Sequence, residues 1–179
     1  FAVVDKETGG MVGEGETGEL WLRGTRGIQL FLEYFDDPEA NASSFEGDWF
    51  KTGDMVMLGE GGNIFYKERD KDLLKVGGEN VSAREVEDAI TGTPGVSAVA
   101  VVGKKHEWLD QVVVAFVITT PDADEATLEK EIIERCTGQL ADFKVPRAVY
   151  VVDEFPTGTL DKILKNRLRD MADERPAID

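Results

Sequence analysis

Three short runs of this sequence carry residue types at a spacing suited to chemistry. Thr52-Gly53-Asp54 sets a carboxylate beside a glycine. A fixed carboxylate accepts hydrogen bonds from two vicinal hydroxyls at once, and a glycine lets backbone approach a ligand closely. Lys75-Val76-Gly77-Gly78-Glu79 supplies two adjacent residues without side chains, as the wall of a narrow channel needs. Leu160-Asp161-Lys162 ends on a long, mobile ammonium. Such a group can bridge oxygens that gain negative charge in a transition state. Between the first two runs lies the charged segment Glu68-Arg69-Asp70-Lys71-Asp72. Each run also has a plain structural reading when taken alone: a turn at a strand entrance, a tight turn before a helix, a helix start with an exposed lysine, an exposed linker.

Other chemistries lack their residues. His106 is the single histidine, in a predicted loop, and the chain has no Cys/His cluster and no Gly-x-Ser-x-Gly elbow. Cys136 is the single cysteine, which excludes an intrachain disulfide and makes a reducing, cytoplasmic compartment the expectation. No apolar run approaches the length of a membrane span, and no signal peptide is visible. With 36 acidic against 20 basic residues the net charge is −16, a field that repels phosphodiester backbones and argues against nucleic acid as a partner. Any site for a phosphorylated ligand must then gather its few cations locally.

The elements that must position these residues fall into two groups. Up to residue 67 the chain reads as strands and turns: 1–4, 18–23 and 28–35, then a short helix opened by Asp37 and Pro38, then a hairpin of 54–58 and 63–67 around Gly59-Glu60-Gly61-Gly62. From Glu68 strands alternate with helices. Strand 73–76 is followed by a capping box, Ser82 with Glu85, ahead of helix 83–91. Strands 98–103 and 111–119 follow, the second nearly continuously apolar. Helix 125–140 carries Leu128, Ile132, Cys136 and Leu140 on one stripe, and strand 148–152 leads to a closing helix predicted over 161–171.

In their order, Trp49-Phe50-Lys51-Thr52-Gly53-Asp54, Arg69 to Val81 and Pro156 to Lys165 resemble the C-terminal third of the adenylate-forming enzymes: acyl- and aryl-CoA synthetases, luciferases and peptide-synthetase adenylation domains. The resemblance covers essentially the whole chain. It implies an α+β fold in two parts, residues 1–67 as the β-rich end of a large N-terminal domain and residues 68–179 as a small mixed α/β C-terminal lid. It implies that Asp54 and Arg69 hold the ribose of ATP, that Lys71 is the hinge, and that Lys162 is the catalytic lysine of acyl-adenylate formation. Gly77 and Gly78 would line the pantetheine tunnel, Gly78 foremost, and Lys75 matches a lysine of the second half-reaction. Ala141-Asp142-Phe143-Lys144-Val145-Pro146-Arg147 is similar to a loop that holds the CoA nucleotide, with Phe143 stacked on adenine and Lys144 or Arg147 on a phosphate. Two positions depart from the pattern: Glu68 and Asp161 stand where Gly is usual.

The implied partners are a carboxylic acid, ATP with Mg2+, and coenzyme A, and the Gly78-Glu79-Asn80-Val81-Ser82 run looks most like the carnitine/crotonobetaine-CoA ligases. The first residues already read as a strand and lack an initiator Met, so the sequence reads as cut from something longer. Neither the phosphate loop nor the acyl pocket of the family is present, so the chain is expected to be inactive alone. Two alternatives stand beside this reading: an adenylation domain loading a carrier protein, and a binding or regulatory module without catalysis.

Overall fold

The computed structural model describes residues 1–178, apart from the side chains of Glu68, Lys71 and Leu160. The chain divides into two compact units, residues 1–71 and 72–179. The sequence set the boundary near Glu68. The fifth strand runs on to Arg69, and the division falls after Lys71.

The first unit is a five-stranded antiparallel sheet: β1 (Ala2–Val4), β2 (Thr17–Arg23), β3 (Phe45–Glu46), β4 (Trp49–Leu58) and β5 (Ile64–Arg69). β4 is its axis, pairing with β2 along one edge and with β3 and then β5 along the other. Helix α1 (Pro38–Ser44) is short and buries no residue. Its start is fixed by Asp37, whose carboxylate accepts the N–H of Ala40, and by Pro38 in the first turn, a cap worth about 1 kcal/mol. The strand predicted over 28–35 does not form. Backbone turns at Gly27 (φ 75°) and Asp36 (φ 52°) bracket it, no neighbouring strand pairs along it, and Ile28 and Phe35 stand 82% and 96% exposed. Apolar residues without a pairing partner lack the ladder that makes a strand.

The second unit is another five-stranded sheet with helices on both faces: β6 (Leu73–Val76), β7 (Glu79–Ser82), β8 (Val96–His106), β9 (Asp110–Thr119) and β10 (Ala148–Val151), with α2 (Ala83–Ile90), α3 (Glu125–Thr137) and α4 (Lys165–Asp173). β10 joins β9 in parallel, and every other pairing is antiparallel. Val113, Ala115 and Val117 of β9 pack with Val86, Ile90, Leu128 and Ile132 of α2 and α3. Val114 and Phe116, pointing the other way, pack with Leu168 and Ala172 of α4. β9 is therefore apolar at successive positions because both of its faces are buried. Strand β7 was not predicted, and α4 begins at Lys165 rather than Asp161.

The capping box is half made. The Ser82 hydroxyl accepts the N–H of Glu85 at 3.2 Å, but the Glu85 carboxylate turns to Lys144. His106 closes β8 rather than lying in a loop, and its Nδ1 accepts the N–H groups of Trp108 and Leu109. No helix among the described residues is long and apolar enough to cross a membrane.

Candidate functional site

Thr52-Gly53-Asp54 is a bulge in the middle of β4. On β2, Glu19 pairs with Met55 and Trp21 with Lys51, so the three residues 52–54 face the single residue Leu20. Side chains take over the bonds that the ladder forgoes. The Thr52 hydroxyl donates to the Leu20 carbonyl at 2.8 Å and accepts the N–H of Asp54 at 3.1 Å, while the N–H of Gly53 donates to Oε1 of Glu19 at 3.0 Å. Gly53 sits at φ 70°, a left-handed conformation that a side chain would strain. A second irregularity in β5 leaves Asp54 directly opposite Arg69. The Arg69 Nε donates to Asp54 Oδ1 at 2.8 Å, and its Nη1 to the Thr52 carbonyl at 3.3 Å. Beside this pair opens a cleft of about 620 Å³ lined by Glu19, Trp21, Tyr34, Lys51, Gly53 and Arg69 among others. The bulge thus sets the Asp54 carboxylate against the Arg69 guanidinium beside a cleft that Thr52, Gly53 and Arg69 line and Asp54 does not; a carboxylate and a guanidinium so placed can bind vicinal hydroxyls.

In the second unit a cleft of about 350 Å³ is walled by Val76, Gly77, Leu109, Val113, Phe143 and Arg147 among others. Two runs distant in sequence, the diglycine turn and the 141–147 loop, meet there. Gly77 donates its N–H to the Leu109 carbonyl at 2.9 Å, and the Arg147 N–H donates to the Val113 carbonyl at 2.8 Å, so both walls are held to β9 and its turn. The Arg147 guanidinium has no hydrogen-bond or ion-pair partner among the described residues, and Phe143 is 38% exposed. Lys144 is taken: its Nζ donates to both oxygens of Glu85 at 2.7 and 2.8 Å. Gly77 forms the wall, whereas Gly78 stands outside it in open space. Lys75 projects from the exposed side of β6 and does not line the cleft.

Lys162 follows a single 3-10 turn, Thr159–Asp161, ahead of α4. The loop is closed by the Gly158 N–H on the Lys162 carbonyl at 2.9 Å and the Leu164 N–H on the Pro156 carbonyl at 2.8 Å. The Lys162 side chain is exposed and has no partner among the described residues. Asp161 lies at φ 56°. That left-handed geometry accounts for the glycine usual there, and aspartate is among the few residues that tolerate it. Three residues on, Lys165 is bound to Glu87 at 2.7 Å with both side chains about one-fifth exposed, so of the two lysines Lys162 is the free one. Among the described residues no group of three His, Cys, Asp or Glu side chains could hold a metal ion. Burial pushes the Cys136 thiol up, which disfavours the nucleophilic thiolate.

Residues 85–162 match the AMP-binding enzyme C-terminal domain. Over 161 residues the sequence is 37% identical to the long-chain-fatty-acid–CoA ligase FadD13 of Mycobacterium tuberculosis, covering 90% of this chain and 31% of that protein. The chain is homologous to the C-terminal region of the adenylate-forming acyl-CoA ligases. A salicylyl-CoA synthase / salicylate adenylyltransferase of Streptomyces is 41% identical over 155 residues, 86% of this chain and 28% of that protein. The ATP-bound structure of MatB from Rhodopseudomonas palustris superposes with a TM-score of 0.82 at 35% identity, over 97% of this chain and 34% of that one. The chain thus spans about a third of the length of the relatives it matches, and its α+β fold is that of their C-terminal portion. Together with an acyl-activating enzyme of Arabidopsis thaliana and a 2-methylpropanoate–CoA ligase of Humulus lupulus, these relatives represent several ligase types rather than the carnitine branch.

Sequence reading missed Glu19, Tyr34 and Leu109. Glu19 had a signal, a carboxylate directly ahead of the apolar run Leu20-Trp21-Leu22. Tyr34 and Leu109 had none, since each reaches its cleft through irregular backbone.

Proposed function

We propose that this chain is the C-terminal portion of an ATP-dependent acid–CoA ligase, with residues 1–71 ending the large domain and 72–179 forming the lid. The reaction is carboxylate plus MgATP to acyl-AMP and pyrophosphate, then attack by the CoA thiol to give the acyl thioester and AMP. The bulge that opposes Asp54 to Arg69 carries the reading, because it presents a carboxylate and a guanidinium together where ribose hydroxyls would bind. Lys162 stabilises the charge that builds on the carboxyl and α-phosphoryl oxygens during adenylation. Magnesium enters as the partner of the nucleotide phosphates, since the described residues build no site for it, and no step is derived through it.

The cleft between Gly77, Phe143 and Arg147 favours free CoA over a carrier protein as the acceptor. It sets an unpaired guanidinium beside an exposed ring, suited to a nucleotide phosphate and its base. The acid is not narrowed by these residues: the relatives' names print long-chain fatty, 2-methylpropanoic and salicylic acids, and none of these names prints a carnitine-like one. The buried thiol of Cys136 accords with a reducing cytoplasm.

The test uses the full-length protein that carries this sequence. Pyrophosphate exchange with a panel of carboxylic acids should reveal adenylation, and thioester should form with CoA rather than with a pantetheinylated carrier. Exchange with no acid, or transfer only to a carrier, would reject the ligase or the acceptor respectively. The 179-residue chain alone should show no exchange.

A further inference from the structure

Glu19 lies on β2 at 7% exposure and makes no ion pair among the described residues, although Lys6, Lys51 and Arg69 line the same cleft. Its two oxygens are both engaged: Oε1 accepts the N–H of Gly53 and Oε2 the indole N–H of Trp21, each at 3.0 Å. Burying a carboxylate is costly unless its oxygens are hydrogen-bonded, so space filling alone does not account for it. What a carboxylate supplies here, and an amide does not, is two acceptors facing two donors. The bulge lifts the Gly53 amide off the ladder, and Glu19 is the acceptor that receives it. The left-handed turn at Gly53 sets the direction of the next residue, Asp54, toward Arg69.

We infer that Glu19 is a positioning residue for nucleotide binding: through the Gly53 amide it fixes the turn that aims Asp54 at the ribose hydroxyls. This rests on the ribose reading of Asp54 given above.

The experiment measures kcat/KM for ATP over that for 2′-deoxy-ATP in pyrophosphate exchange by the full-length enzyme. In Glu19→Gln, turning the amide oxygen to Gly53 leaves an NH2 group against the Trp21 N–H. The ATP preference should fall about tenfold, the scale of one hydrogen bond to a charged group. KM for ATP should rise while KM for the carboxylic acid stays put. In a Trp21→Phe background the opposing donor is gone, and Glu19→Gln should there cost less than about threefold, well under the loss of one hydrogen bond to a charged group. Equal costs in both backgrounds, or an unchanged preference in Glu19→Gln, would overturn the inference. Should Glu19→Gln fail to fold, Glu19→Asp reads the same ratio: the shortened side chain should lose the preference, and keeping it would count against the role. Asp54→Asn separates the two layers. If it leaves the preference intact, the ribose reading and the inference fall together. If it abolishes the preference and Glu19→Gln does not, the inference alone falls.

Discussion

Asp72 accepts a hydrogen bond at 2.9 Å from the guanidinium of Arg169, a residue 97 positions further along the chain. Two residues earlier, Asp70 accepts from Lys6 at 2.6 Å. The first pair lies wholly in the second unit and the other wholly in the first, so the two aspartates are each tied to their own unit and Lys71 stands between them. If Lys71 is the hinge that the family resemblance implies, its held flanks leave few dihedrals to move. Lys71→Pro, which locks φ near −65° and restricts Asp70 as well, should abolish one half-reaction of the full-length enzyme, thioester formation, while adenylation survives. Lys71→Ala is the control for charge and should be mild. Single-turnover measurement of each half-reaction decides it, and normal turnover of Lys71→Pro in both would place the pivot elsewhere.

Lys162 and Lys165 should separate function from stability. The free side chain of Lys162 gives Lys162→Ala little to disturb in the fold, yet adenylation should fall by roughly two to three orders of magnitude. Thioester formation from supplied acyl-AMP should be largely spared. Lys165→Met strips the partner from Glu87, which also accepts the Val101 N–H at 2.8 Å. It should cost about 1–3 kcal/mol of stability, as a partly buried charge left unpaired does. Urea denaturation and half-reaction assays on both variants are the check, and an equal loss of both half-reactions in Lys162→Ala would mark that lysine as structural.

Arg147 and Lys144 are neighbours in the loop but not in availability. Arg147→Ala should raise KM for CoA about tenfold, the loss of one charge-assisted contact to phosphate. Dephospho-CoA used in place of CoA tells whether the 3′-phosphate is the group bound. Lys144→Ala should change KM for CoA much less, because its ammonium is held by Glu85. A larger effect from Lys144 than from Arg147 would reverse the assignment.

The Asp54–Arg69 pair is partly open to solvent, at 25% and 44% side-chain exposure. Ion pairs of that kind contribute about 0–1 kcal/mol to stability. Arg69→Gln should therefore leave the melting temperature nearly unchanged while raising KM for ATP about tenfold. A large loss of stability with unchanged KM would make the pair a structural clamp.

Local patterns in the sequence determined much of this protein. Asp37-Pro38 placed a helix start, Ser82 capped α2, the alternation around Gly59–Gly62 gave the hairpin, and the runs around Asp54, Gly77 and Lys162 were visible as chemistry because each is a contiguous motif. Tertiary structure alone decided what those motifs do to one another. The bulge at Thr52–Asp54 exists because β2 runs past it in a shifted register, and register belongs to a pair of strands rather than to either one. Strand 28–35 had the right residues and no partner. Leu109 and Phe143 share a cleft because β9 carries both walls. Which lysine is free, Lys162 or Lys165, depended on where Glu87 of α2 comes to lie, and short-range spacing holds no information about a contact made across 78 residues.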